Sequence, residues 1–161
     1  MDYSVSDVAR FVVNYADKKN KNVTNMKLQK ILFYLQGFCY RQFNEPLFHA
    51  EFEAWPYGPV IRRIYIDFSM FGSSEIPCYN DVIDFIFYKS VDKDELENYE
   101  GVFEPKIIEF LKNILDRLLE YSAMHLVRAT HKEGTPWKKV YDKNSKKIIP
   151  EKEIELYFTR S

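Results

Sequence analysis

Residues 25–42 constrain this chain more than any other stretch. Leu28, Ile31, Leu32, Leu35 and Cys39 form a stripe at helical spacing, and Met26, Phe33 and Phe38 widen it past one face. A helix that is apolar on more than one side belongs at the centre of its domain, with several neighbours packed around it. Gly37 in its interior costs up to ~1 kcal/mol relative to alanine, which predicts a close helix crossing there. Thr24 or Asn25 opens the helix.

Other segments share the period. Val5, Val8, Ala9, Val12, Val13 and Ala16 predict a helix over 5–18, capped by Ser4 or Ser6. Ile107, Ile108, Leu111, Ile114, Leu115, Leu118 and Leu119 predict another over 104–120. Ser122 caps a helix over 123–132 that ends at Gly134, Thr135 and Pro136 restart a helical turn, and 151–158 closes the chain as a short helix. Between 43 and 58, Pro46, Pro56 and Gly58 break the period, and a loop with a short extended piece is expected. Pro59 suits the first turn of a third helix, followed by Val60, Ile61, Ile64, Tyr65 and Phe68 at helical spacing. Residues 82–88 read either as a short strand or as a buried helical turn, and 89–101 as an acidic loop or short helix. The fold class expected is mainly α: one helical bundle over 1–161 with at most a short strand or hairpin, and an acidic insert at about 73–103.

A length of 161 residues suits one domain with a sizeable core. The aromatic load (Phe 13, Tyr 12, Trp 2) argues against wholesale disorder. Net charge is −1, which disfavours a uniformly basic nucleic-acid binder. The charge is uneven, however: 71–125 carry 5 basic and 12 acidic residues, and 126–161 carry 9 and 5. The start lacks a basic and apolar leader, and no run approaches the ~18 apolar residues of a membrane span, so a cytoplasmic protein without membrane contact is expected. Cys39 and Cys78 read as free thiols, Cys39 buried.

Few residues carry reaction chemistry. His49, His125, His131, Cys39 and Cys78 do not fall at zinc-ligand spacing, and no phosphate-cradling glycine loop is present. No catalytic residue, metal or cofactor is expected, and His131 reads as orienting the turn before Pro136, with Trp137 packed inside. Trp55, Tyr57, Gly58 and Pro59 occupy a loop-to-helix junction. They form either a rigid aromatic platform for a partner or a structural corner in which Trp55 fills the core. Arg62 and Arg63 lie one turn on, either as partners for acidic groups or as a solvated face. Lys27, Lys30 and Tyr34 share a face by spacing, which either touches a partner or the Trp55 loop, or stands exposed as a polar stripe. The basic cluster Lys138, Lys139, Lys143, Lys146 and Lys147 offers weak, salt-sensitive contact to DNA.

Two blocks of this sequence resemble the Panacea domain family, the SocA-like antitoxin or GepA-like phage-associated proteins. The first runs from Thr24 through Lys27-Leu28-Gln29-Lys30-Ile31-Leu32-Phe33-Tyr34 to Gly37, then Pro46-Leu47-Phe48 and Glu53-Ala54-Trp55-Pro56-Tyr57-Gly58-Pro59-Val60, ending near Tyr65. The second is Thr130-His131-Lys132-Glu133-Gly134-Thr135-Pro136-Trp137, followed by Ile149-Pro150 and Phe158. The blocks cover nearly the whole chain, while 73–103 matches no pattern of the family. The resemblance implies a small helical antitoxin that neutralises a cognate toxin by direct binding. It also implies two alternatives: an adaptor that hands bound toxin to a protease unfoldase, and a regulator that binds its own operator DNA. The partner-binding candidates are Lys27, Lys30, Trp55, Tyr57, Arg62 and Arg63. The structural motif comprises Gly58, Pro59, His131, Pro136 and Trp137.

Overall fold

A computed structural model describes residues 1–79 and 101–160. The 82–88 reading, and nearly all of 89–101, lie outside these residues. The described chain is mainly α. Its elements are α1 (Val5–Lys18), α2 (Asn25–Phe43), β1 (Phe52–Trp55), β2 (Gly58–Val60), α3 (Arg62–Asp67), a 3-10 turn (Ser69–Phe71), α4 (Pro105–Leu118), α5 (Ala123–Thr130), α6 (Pro136–Val140), β3 (Ile148–Ile149) and α7 (Glu151–Thr159).

Helix α2 is the axle. It packs against α1, α4, α5, α7 and β2, and even Gln29, Lys30 and Gln36 are buried on it. Thr24 Oγ1 accepts the Lys27 amide at 3.3 Å and caps its start. Gly37 sits where α7 crosses: a Cβ there would stand 2.2 Å from the Phe158 ring, so only glycine admits that aromatic. Phe158 then meets the rings of Phe33 and Phe38 edge-on. Gln36 closes the loop after α2. Its Oε1 accepts the Leu47 and Phe48 amides, and its Nε2 donates to the Phe48 carbonyl.

Helix ends follow the side chains that can satisfy their free amides. Ser122 Oγ accepts the His125 amide and Thr135 Oγ1 the Lys138 amide, while Pro105 and Pro136 begin α4 and α6. Helix α1 differs from expectation: Ser4 is its N-cap, but no serine hydroxyl accepts an amide there, and only the Ser4 carbonyl takes the Val8 amide.

The larger difference lies at 52–61. Pro59 does not open the third helix. It lies in β2, paired antiparallel with Ala54, and the helix begins at Arg62. A proline is tolerated in this strand because β2 is at the edge of the sheet and its missing N–H breaks no ladder bond. Pro56 and Tyr57 form the two-residue hairpin loop between Trp55 and Gly58. On the other side of β1, Ile148 and Ile149 pair with Glu53 and Phe52, giving the order β2-β1-β3. That third strand is absent from the sequence reading.

The start of the divergent insert is anchored. Ile76 N–H donates to the Val23 carbonyl, and the Asn14 side chain both accepts from and donates to the Tyr79 backbone at 2.9 Å.

Candidate partner-binding surface

The two sequence blocks meet behind the β-hairpin. Gly58 has φ +108°, a left-handed conformation that favours glycine. A Cβ added there would lie 2.6 Å from Lys30 Cε and 2.8 Å from Thr130 Oγ1, so the first and second blocks are in close contact at this residue. Lys30 Nζ donates to the Pro59 carbonyl at 2.9 Å. Thr135 Oγ1 donates to the Thr130 carbonyl at 2.7 Å, which holds the turn joining α5 to α6. From that turn Trp137 Nε1 donates to the Trp55 carbonyl at 2.7 Å.

Of the alternatives for the Lys27–Lys30 face, Lys30 makes the contact with the Trp55 loop, and the exposed polar stripe is excluded. Lys30 is 1% exposed, and burial brings its pKa down to about 7. Lys27 is half-buried, and its Nζ donates to the Leu119 carbonyl just past α4. Burial, with Lys21 nearby, lowers its pKa as well. Because α2 is surrounded, neither lysine stands free in solvent. Tyr34, half-buried, packs on Phe33, Phe38 and Phe158.

His131 lies flat on Trp137, ring centroids 3.8 Å apart, and Trp137 on Tyr141 at 4.4 Å. Its Nε2 is enclosed without a hydrogen-bond partner. Burial, then the nearby Lys30 and Lys138, hold its pKa below the ordinary histidine value. The imidazole is therefore a packing element on the buried indole of Trp137. Pro136 is buried beside it.

A second polar chain fixes α3. The Ile61 amide donates to Gln29 Oε1 at 2.9 Å, Gln29 Nε2 donates to Asn25 Oδ1, and Asn25 Nδ2 donates to the Tyr65 carbonyl. Both ends of the short helix are thus tied to α2. Sequence reasoning missed this role for Asn25 and Gln29. The available signal was the breadth of the apolar stripe, which leaves them no solvent side.

In front of this frame lies an aromatic surface. Trp55 is half-buried and contacts Tyr65 at 4.8 Å between ring centroids. Arg62 forms a two-pronged ion pair with Glu53, Nε–Oε2 2.8 Å and Nη2–Oε1 2.7 Å. That hydrogen bonding lowers the Glu53 pKa and raises that of Arg62. Arg62 lies over the Trp55 ring at 5.4 Å and Lys146 at 4.1 Å. Tyr57, 58% exposed, projects from the hairpin loop, and Arg63 and Ile66 are exposed on α3. The structure therefore gathers Trp55 and Arg62, with Arg63 on the same helix and Tyr57 at the loop tip. It adds Tyr65 and Lys146, neither of which sequence spacing associates with Trp55.

Among the described residues no group of three His, Cys, Asp or Glu side chains is placed to hold a metal ion. No helix there is long and apolar enough to cross a membrane.

The description "Antitoxin SocA-like, Panacea domain" matches residues 28–138, from the start of α2 to α6. The chain belongs to this family. The family segment holds the Lys30–Gly58–Thr130 junction and the Trp137–Trp55 bond that ties its two ends. Antitoxin SocA of Caulobacter vibrioides (strain NA1000 / CB15N) is 28% identical over 134 residues. The matched stretch is 81% of this chain and 66% of that relative, just under two thirds of its length. No solved structure matches the chain.

Proposed function

We propose that this Panacea-domain chain is an antitoxin that binds its toxin directly, without catalysis, in the cytoplasm. The observation that carries this reading is the Trp55–Tyr65–Arg62 surface, backed by both family motif blocks. Tryptophan, tyrosine and arginine are the residues that most often dominate binding energy at interfaces. Here they sit on a hairpin and a helix whose backbones are held by buried side chains, so little ordering is left for the binding step. The relative named Antitoxin SocA supports the same reading.

The operator-binding alternative draws less support. Lys138, Lys139 and Lys147 of the basic tail are paired with Glu133, Glu153 and Asp142, which competes with phosphate. An adaptor needs a second exposed contact for the unfoldase, and the acidic stretch 89–104 that would offer one lies mostly outside the described residues.

Co-expression with the product of the neighbouring gene tests the proposal by growth rescue and co-purification. Rescue together with a stable complex is expected. Toxicity unchanged in the presence of the folded chain overturns it, and rescue with loss of the toxin from the cell would favour the adaptor.

A further inference from the structure

The charges around Trp55 indicate what kind of partner surface it fits. Arg62 and Lys146 both lie within about 5.5 Å of its ring centroid, so two like charges converge on one aromatic side chain. Arg63 is exposed on α3, and Lys143 lines with Lys146 a shallow cavity of about 340 Å³ beside Ala54 and Pro56. Three carboxylates are near. Glu53 is engaged by Arg62, Asp142 lies 3.6 Å from Lys147, and Asp67 is one turn from Arg63. Among the described residues, Arg63, Lys143 and Lys146 have no carboxylate oxygen within 4 Å, since every ion pair in this region belongs to Arg62 or Lys147. The face is thus aromatic at its centre and cationic at its rim.

We infer that this face receives an acidic segment of the toxin, its carboxylates on Lys143 and Lys146 and an apolar side chain against Trp55 and Tyr65. The inference rests on the toxin-binding reading for the identity of the occupant. Arg62 is already engaged by Glu53, whereas the Lys143 and Lys146 ammonium groups at the rim of the cavity are left to pair with a partner's carboxylates. Nucleic acid fits less well. Ile66 and Met70, 60% and 58% exposed on α3 and the turn after it, extend the surface with aliphatic area that suits a peptide's apolar side chains rather than stacked bases.

The test uses a short peptide rich in glutamate and leucine, its counterpart with glutamine for glutamate, and oligothymidylate. Each is titrated into the whole chain and followed by backbone amide shifts. The acidic peptide is expected to shift residues 53–66 and 141–147, with affinity falling as salt rises. Lys143→Glu with Lys146→Glu should weaken it at least ~10-fold, and Lys143→Gln with Lys146→Gln by less. Unchanged thermal unfolding of these variants shows that the loss is not one of folding. Equal binding of the glutamine peptide, shifts confined elsewhere, or tighter oligothymidylate binding through the same residues would each overturn the inference. Acidic-peptide binding by a chain that rescues no toxicity would uphold the chemistry of the face and overturn the toxin as its occupant.

Discussion

Trp137 donates its indole N–H to the backbone carbonyl of Trp55, 2.7 Å away and 82 residues earlier in the chain. The bond joins the buried end of the second motif block to the strand that presents the exposed aromatic surface. Trp137 is itself clasped between His131 and Tyr141. The Trp55 backbone is therefore held from behind by a buried residue.

Trp137→Phe separates this positioning from packing. Phenylalanine keeps an aromatic ring in the stack but removes the N–H, leaving the Trp55 carbonyl short of a donor. A stability loss of about 1–3 kcal/mol is expected. Partner affinity should fall as well, although the residue is buried. A chemical-denaturation series beside a binding titration checks both, and unaltered affinity in a destabilised variant would separate Trp137 from the surface.

Gly58→Ala should be more damaging than its size suggests. The φ of +108° strains any L side chain, and the new methyl would collide with Lys30 Cε and Thr130 Oγ1. A loss of about 2–4 kcal/mol is expected in urea unfolding. A loss below about 0.5 kcal/mol, the range of ordinary surface substitutions, would contradict the tight junction.

Lys30 gives the fold a distinctive pH response. Burial brings its pKa to about 7 in the folded chain, whereas the unfolded chain holds the proton up to the ordinary value of 10.5. Between those two values the unfolded state binds more protons, so stability rises with pH, by at most about 1.4 kcal/mol per pH unit. Below about 7 the cost is complete and constant. Cys39 acts in the opposite sense. Burial pushes its thiol up to about 12, so its contribution falls once pH passes its ordinary value of 9.0. Urea midpoints between about pH 7 and 8.5 therefore report Lys30. Lys30→Met keeps a long side chain without charge and should flatten this rise. Loss of the donor to the Pro59 carbonyl offsets part of the gain in absolute stability, so the slope is the informative quantity. Parallel pH curves for the two proteins would contradict the buried amine.

The parts of the fold that were legible are those governed by local physics. Helix α1 shows its stripe from Val5 to Ala16, α4 from Ile107 to Leu119, and Thr24, Ser122 and Thr135 cap as their side chains suggest. Gly37 was readable as a crossing point because an interior helical glycine needs a cause. Pro59 misled because proline suits both the first turn of a helix and an edge strand, and only the pairing with Ala54 decides. The two residues of β3 are too few to alternate. Contact of the Lys30 face with the Trp55 loop is among the sequence's alternatives, but its full burial is not legible, because spacing along a helix says which residues share a face and not how many neighbours enclose it. Tyr65 and Lys146 join Trp55 through tertiary packing, for which a single sequence carries no local signal.

The affinity of the toxin for Trp55→Ala, measured by titration calorimetry against the unaltered chain, tests the aromatic face most directly. Trp55 is half-buried at the hairpin and tied behind by its backbone carbonyl, which the substitution keeps. At least a ~30-fold loss of affinity is expected, the ~2 kcal/mol typical of a hot spot, with growth rescue lost and cooperative unfolding retained. Unchanged affinity and full rescue by the folded variant would contradict the claim that this aromatic face is where the toxin binds.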